Sequence, residues 1–344
     1  MKRQMCVALV GTMVGLSLCA FAQESQQSSA QMKDASGSGN STNSADEKRF
    51  GDLFLKAQAS ERTSFDAIST EAENGNLHAE YYLGVCYRDG VVVEKDPVRA
   101  VEWFRKAADK GDDVAQVNLG VCYSKGNGVA KDDGEAVKWY RKSAQQKNAR
   151  AMNSLFVCFS EGKGVEKDPR EAFKWLQQSA EHEEPDAWFS LAKCYYIGYS
   201  DAGVAKDCDK AFKLMLKAAE SGHAEAQYNV GVFYRDGIGV TRNINEVLKW
   251  YRLSAEQGFA MAQNNLGACY DGGRGVSKNM GEAVKWYRKA AEQGNADAQY
   301  NLGGCYYNGT GVAENESEAI KWFRKAAQQG NTNAKSVLRQ LGLN

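Results

Sequence analysis

Proline and histidine are scarce, three of each in 344 residues. So little proline leaves few obligatory helix breaks, and plentiful Ala, Lys, Glu and Gln favour helix throughout. His78, His182 and His223 include no pair at metal-ligand spacing. Each stands near a turn, which reads as a solvated turn residue rather than a metal centre. Neither sign of charge is in excess, with 43 Lys plus Arg against 43 Asp plus Glu. That balance points away from nucleic acid and from anionic membrane surfaces as partners. Beyond the first two dozen residues there is no long apolar run, so nothing there is expected to cross a membrane.

The single apolar run, Met5 to Leu18, follows the basic Lys2 and Arg3 and precedes Ala20-Phe21-Ala22. This is the pattern of an export signal, with cleavage expected after Ala22. Gly11, Thr12, Gly15 and Ser17 make the run a poor permanent anchor. Leu18 stands where a lipoprotein signal at Cys19 wants a small residue. Loss of Lys2 and Arg3 leaves a net charge of −2. Residues 23–48 are polar and low in complexity and read as a flexible tether. The chain is therefore expected in a periplasm or in the medium.

The rest of the sequence repeats itself. The phrase Ala-x-x-x-Leu-Gly and its variants begin at Ala79, Ala115, Ala151, Ala187, Ala226, Ala262 and Ala298. The steps are 36 residues except for one of 39, a period that marks a solenoid. Each unit carries two amphipathic helices. Ala79, Leu83, Cys86 and Tyr87 share one face of the first; Ala100, Trp103, Phe104, Ala107 and Ala108 share one face of the second. A glycine-rich turn such as "SKGNGVAKDD" joins them. One such pair cannot bury its apolar stripe alone, and stacked neighbours do so for each other.

Start and stop signals agree with that division. Asp96, Asp132, Asp168, Asn243, Asn279 and Asn315 occupy the N-cap of the second helix. Glu135, Glu171, Glu246, Glu282 and Glu318 follow at capping-box spacing. Pro97 and Pro169 sit at the first helical position. Gly111, Gly222, Gly258, Gly294 and Gly330 mark helix ends. The repeats are expected at 79–114, 115–150, 151–186, 187–225, 226–261, 262–297 and 298–333. Residues 49–78 cap the N-terminal side, where 64–76 look like a second helix without its first. Residues 334–344 form a C-terminal capping helix.

The consensus Ala-x-x-Asn-Leu-Gly-x-x-Tyr, Gly-x-Gly-Val, Ala-x-x-Trp-Tyr-x-Lys-Ala-Ala resembles the Sel-1-like repeat (SLR) family, relatives of tetratricopeptide repeats. The resemblance covers about residues 79–333. It implies an all-α fold, a right-handed α/α superhelical solenoid of about seven helix-turn-helix repeats. It also implies a non-catalytic adaptor in protein complexes, with a protein or extended peptide as partner and no cofactor. Such motifs specify the fold rather than the partner.

Seven cysteines follow the export signal, six of them (Cys86, Cys122, Cys158, Cys194, Cys269 and Cys305) in one repeat column. Neighbouring helices pack about 8–10 Å apart, and a disulfide needs Cα atoms within roughly 7 Å. The column therefore reads as core packing by small apolar side chains. Some secreted members of the family bridge a second helix to the next first helix; the partner column for that bridge is missing here. Cys208, outside the column, is the expected reactive thiol.

Catalytic motifs are weak. Ser190 and Lys193 match Ser-x-x-Lys, and certain cysteine-rich family members have been credited with β-lactam hydrolysis. Yet "SDA" at 200–202 is not Ser-Asp-Asn, no Lys-Thr-Gly occurs, and both residues fall in ordinary repeat columns. The Gly-x-Gly-Val turns lack the Lys-Ser/Thr of a phosphate loop. "DGGRGV" at 271–276 lacks the alternating acids of a calcium loop.

Binding residues are sought on the other face of the first helix. Asn118, Asn229, Asn265 and Asn301 share a column, with Ser154 and Ser190 as variants. By resemblance this column lies on the concave surface, where a carboxamide can bond both N–H and C=O of a peptide backbone. The alternative is that these amides bond the preceding repeat's turn. Tyr81, Phe189, Tyr228 and Tyr300 precede the column by one residue, and Arg88, Tyr196, Arg235 and Tyr307 follow it. Tyr and Arg are frequent anchors of binding surfaces. The middle repeats are irregular: Phe156 and Ala192 replace Gly, Leu214 replaces Trp, and the turn at 197–204 is three residues longer. Either a functional face or relaxed repetition explains this.

Overall fold

A computed structural model of the chain describes residues 43–59 and 61–343. The export signal, its cleavage site and most of the polar tether lie outside the described residues. Seventeen α-helices are present among them. The first are α1 (Asn43–Gln58), α2 (Arg62–Glu73), α3 (Leu77–Asp89), α4 (Pro97–Asp109), α5 (Asp113–Lys125) and α6 (Asp133–Gln145). Then come α7 (Ala149–Glu161), α8 (Pro169–Glu181), α9 (Pro185–Ile197), α10 (Cys208–Glu220), α11 (Ala224–Asp236) and α12 (Ile244–Glu256). The last are α13 (Ala260–Gly272), α14 (Met280–Glu292), α15 (Ala296–Asn308), α16 (Glu316–Gln328) and α17 (Thr332–Gln340). No β-strand occurs among the described residues.

The helices α3 to α16 are the expected first and second helices of seven repeats. They fall into two compact units. One holds the described residues up to Ala187 together with 200–204; the other holds 188–199 and 205–343. In each unit consecutive helices pack on one another, so each buries its stripe against its neighbours. The N-terminal side differs from expectation. A helix pair precedes the repeats, and α1 begins six residues inside the stretch read as tether. Phe50, Phe54 and Ala57, at i, i+4 and i+7 on α1, are buried in the same core as Phe65 and Ile68 of α2. That apolar stripe orders the polar residues N-terminal to it.

Each second helix starts at its expected cap. The Asp132 carboxylate accepts from the Glu135 N–H at 2.9 Å, and Asn279 and Asn315 act likewise. The second half of the capping box is replaced. The Asp132 N–H donates instead to the Tyr123 carbonyl at 3.0 Å, and Asp96, Asp168, Asn243, Asn279 and Asn315 donate to equivalent carbonyls. The glutamates turn outward to Lys138, Lys174, Lys249, Lys285 and Lys321. The backbone bond across the turn thus ties the end of each first helix to the start of its second.

The two turn glycines have different duties. Gly126 closes α5 in the left-handed region at φ 69°. Gly128 also has positive φ, and a Cβ there would stand 1.9 Å from the Pro97 carbonyl oxygen of the preceding repeat. A third glycine, inside the first helix, makes room for a ring. A Cβ on Gly84, Gly120, Gly231, Gly267 or Gly303 would come within 2.5–2.8 Å of Phe104, Tyr140, Tyr251, Tyr287 or Phe323. In the two repeats where Phe156 and Ala192 replace that glycine, the second helix carries buried Leu176 and Met215 in place of the ring. This irregularity is a compensated exchange of volume.

Candidate peptide-binding face

The outward residues of the first helices border the two largest open hollows. In the N-terminal unit a groove of about 460 Å³ runs over α3, α5 and α7. Its floor is Val117, Val121 and Val157, and Arg88, Asn118 and Ser154 border it. In the C-terminal unit a pocket of about 370 Å³ is bordered by Tyr300, Asn301, Gly304 and Asn308 of α15 together with Ala268 and Asp271 of α13. Both volumes lie in the range of small-ligand and side-chain sites.

The Asn column lies on this face, but its amides already hold bonds within the chain. Asn118 Nδ2 donates to the Val114 carbonyl at 2.9 Å, and its Oδ1 accepts from Arg88 Nη1 at 2.9 Å. Asn229 Nδ2 donates to the Glu225 carbonyl at 2.8 Å. Asn301 Nδ2 donates to Asn264 Oδ1 at 3.0 Å. Asn265 hydrogen-bonds to the phenols of both Tyr228 and Tyr251. Two of these bonds, Arg88 to Asn118 and Asn301 to Asn264, tie a first helix to the first helix before it. Ser154 Oγ, in the same column, donates to the Arg150 carbonyl at 3.0 Å.

The tyrosines one residue earlier are wedges against the second helix. Tyr81 meets Phe104 with centroids 6.1 Å apart, Tyr228 stacks on Tyr251 at 5.7 Å, and Tyr300 meets Phe323 at 5.8 Å. Burial pushes the phenols of Tyr228 and Tyr300 above their ordinary pKa, so they stay neutral. Arg88 and Arg235 each clamp the next residue, Asp89 and Asp236, with two hydrogen bonds of 2.7–2.8 Å. Those pairs hold the guanidinium planes and offset their charge. Tyr307 is partly buried against the C-terminal core.

A structural column went unnoticed in the sequence. Gln116, Gln227, Gln263 and Gln299 are buried, each donating 3.1 Å to a carbonyl of the preceding second helix. Each also accepts from a later glutamine, Gln146, Gln257, Gln293 or Gln329. In the first repeat the same place holds Glu80 paired with Lys110 at 2.7 Å. The 30-residue spacing of these pairs is the signal that could have found them.

The six column cysteines are buried and free. Burial pushes Cys86, Cys158 and Cys194 up to about 12 and Cys122, Cys269 and Cys305 to about 11, so these thiols are protonated and unreactive. Cys208 is half-buried at the start of α10. Two histidines depart from the solvated reading. His223 caps α11 through Nδ1 and stacks on Phe189 at 4.6 Å. His78 is largely buried, with Nδ1 3.9 Å from Asp112. The Lys193 ammonium lies over the Phe189 ring at 4.5 Å. No group of three His, Cys, Asp or Glu that could hold a metal occurs among the described residues, nor a helix long and apolar enough to cross a membrane.

A family model described as Sel1 repeat matches residues 77–112, 113–148, 149–183, 185–223, 224–259, 260–295 and 296–331. It sets each boundary about two residues before the alanine used above. Among solved structures, the chain is similar to a protective antigen present in uropathogenic Escherichia coli strains, which displays an SLR fold. Identity is 33% over 95% of this chain and 67% of that one, with a TM-score of 0.64. A Sel1 repeat protein from Oxalobacter formigenes is 29% identical over 92% of this chain and 99% of its own, with a TM-score of 0.62. No curated protein matches the chain.

Proposed function

Because the chain belongs to the Sel1 repeat family, typically protein-interaction scaffolds, we propose that it is an exported, non-catalytic adaptor holding a protein or extended peptide against its first-helix face. The observation that carries this reading is the groove over α3, α5 and α7, which lies outside the core and offers polar rims around an apolar floor. Adjacent helices lie about 8–10 Å apart and an extended strand rises about 3.3 Å per residue. A peptide crossing the first helices therefore meets an Asn or Ser of the column about every third residue. The amide bonds within the chain hold these groups in place and leave each carboxamide part of its capacity for the ligand.

Export is supported by Lys2, Arg3, the apolar run and Ala20-Phe21-Ala22. Similarity to a protective antigen fits the same placement. Burial of six thiols suits a free-cysteine protein in an oxidising compartment. Against Ser190 and Lys193 as a hydrolytic pair stands the position of the Lys193 ammonium over an aromatic ring.

The test is a peptide array probed with the chain from Gln23 onward. The reading expects retained peptides and a signal weakened by Asn265→Ala with Asn301→Ala. No retained peptide, or turnover of a chromogenic β-lactam lost in Ser190→Ala, would overturn it.

A further inference from the structure

The groove of the N-terminal unit exists because one wedge is missing. In three repeats a tyrosine of the first helix packs on a ring of the second: Tyr81 on Phe104, Tyr228 on Tyr251, Tyr300 on Phe323. The second repeat has the ring, Tyr140, but carries Val117 where the tyrosine belongs, and no ring packs on Tyr140 among the described residues. Val117, Tyr140 and Ser154 all border the groove.

A hydrogen-bond register accompanies the wedge. The Tyr228 phenol bonds to Asn265, thirty-seven residues on, which also receives the Tyr251 phenol. Asn301 bonds to Asn264, the same thirty-seven residues apart. In the N-terminal unit the matching positions are Val117 and Ser154. Tyr140 reaches Ser154 as Tyr251 reaches Asn265, but valine supplies no second hydroxyl. The sixth repeat also lacks the wedge, yet there Asn264 fills the place and is bridged to Asn301. Only at Val117, among the described repeats, do a ring without a ring partner, an acceptor with one phenol instead of two, and an open groove coincide. Asn153, beside Ser154, adds a buried amide oxygen without a donor.

We propose that this groove is a recognition pocket for a tyrosine side chain of the partner, which packs on Tyr140 and donates its phenol to Ser154 in the place that Tyr228 fills for itself. This rests on the reading that the first-helix face binds peptide, and it names the residue that face selects. Tyr is preferred over Phe because the phenol finds an acceptor that a phenyl ring leaves unmet. Arg88 and Ser124 at the rim keep the approach polar.

The probes are N-acetyl-L-tyrosinamide and N-acetyl-L-phenylalaninamide, titrated into the chain from Gln23 onward and followed by NMR. Saturable binding is expected, with the tyrosine probe favoured by about 2- to 10-fold, the worth of one neutral hydrogen bond. Val117→Tyr, which gives the second repeat its own wedge, should abolish binding, whereas Asn265→Ala in the other unit should leave it unchanged. Ser154→Ala should remove the preference for tyrosine over phenylalanine while keeping binding of both, which guards against a Val117 variant that fails to fold. No saturable binding to the unaltered chain, or binding indifferent to Val117→Tyr in a folded variant, would overturn the inference. Arrayed peptides retained without enrichment of tyrosine would overturn it too while leaving the adaptor reading standing; an array that retains nothing would remove both.

Discussion

Replacing Gly303 by alanine asks whether the helical glycine is there for space. A Cβ at 303 would stand 2.8 Å from two ring carbons of Phe323 and 3.2 Å from the Ala319 carbonyl oxygen. Phe323 is fully buried, so its ring has nowhere to retreat. Overpacking of this kind costs about 1–3 kcal/mol. Exchange of glycine for alanine in a helix interior returns about 1 kcal/mol. The net expectation is a loss of roughly 0–2 kcal/mol by those same terms. The neighbour Gly304 is the control, for a Cβ there meets nothing within 4 Å. Gly304→Ala should stabilise by about 1 kcal/mol. The chain also contains its own rescue, since Ala192 stands at this position in the fourth repeat with Met215 in place of the ring. Phe323→Met should therefore couple favourably with Gly303→Ala by about 0.5–3 kcal/mol. Urea unfolding followed by circular dichroism and tryptophan fluorescence measures all four corners, reading the step that reports the C-terminal unit because repeat arrays can unfold in stages. A Gly303→Ala gain equal to that of Gly304→Ala, or strict additivity in the cycle, would refute the packing argument.

Three further expectations follow. Lys147 and Glu183 adopt φ 67° and 61° where Gly111 and Gly222 stand in other repeats, so Lys147→Gly should raise the urea midpoint by about 0.5–1 kcal/mol of stability, the left-handed strain outweighing glycine's chain entropy. Burial pushes the Asp112 carboxyl up to about 7, above the unfolded value near 3.9. The folded chain then holds an extra proton between about pH 4 and 7, and stability falls as pH rises through that window. Asp112→Asn, which keeps the cap oxygen, should flatten that slope; an unchanged slope would contradict the assignment. Finally, a chromogenic thiol reagent should modify one cysteine of the native mature chain promptly, Cys208, and all seven after denaturation. Prompt native modification of two or more would show that the cysteine column is open to solvent.

The repeat was legible because a fixed period exposes every structural column at once: the caps at Asp132 and Asn279, the turn glycines and the buried cysteines fall where the spacing predicts. The extra helix α1 was not, because its first six residues are polar and its apolar stripe is only Phe50, Phe54 and Ala57. The capping box was half right, since the carbonyl of Tyr123 takes the N–H that the spacing assigned to Glu135. The Asn column was legible as a column, whereas the partners of its amides were not. Whether Asn118 faces a ligand or Arg88 depends on how the previous helix sits, which periodicity does not state. The groove itself was hidden in plain residues. Val117 is unremarkable alone and becomes informative only beside the Tyr81–Phe104 and Tyr228–Tyr251 pairs.

The most direct test of the account is a hydrogen-exchange footprint of the mature chain with and without a peptide recovered from the array. Binding across the first helices predicts added protection within 113–125 and 149–161, with the second helices at 133–145 and 169–181 unchanged. Protection confined to those second helices, or to 205–343, would contradict it.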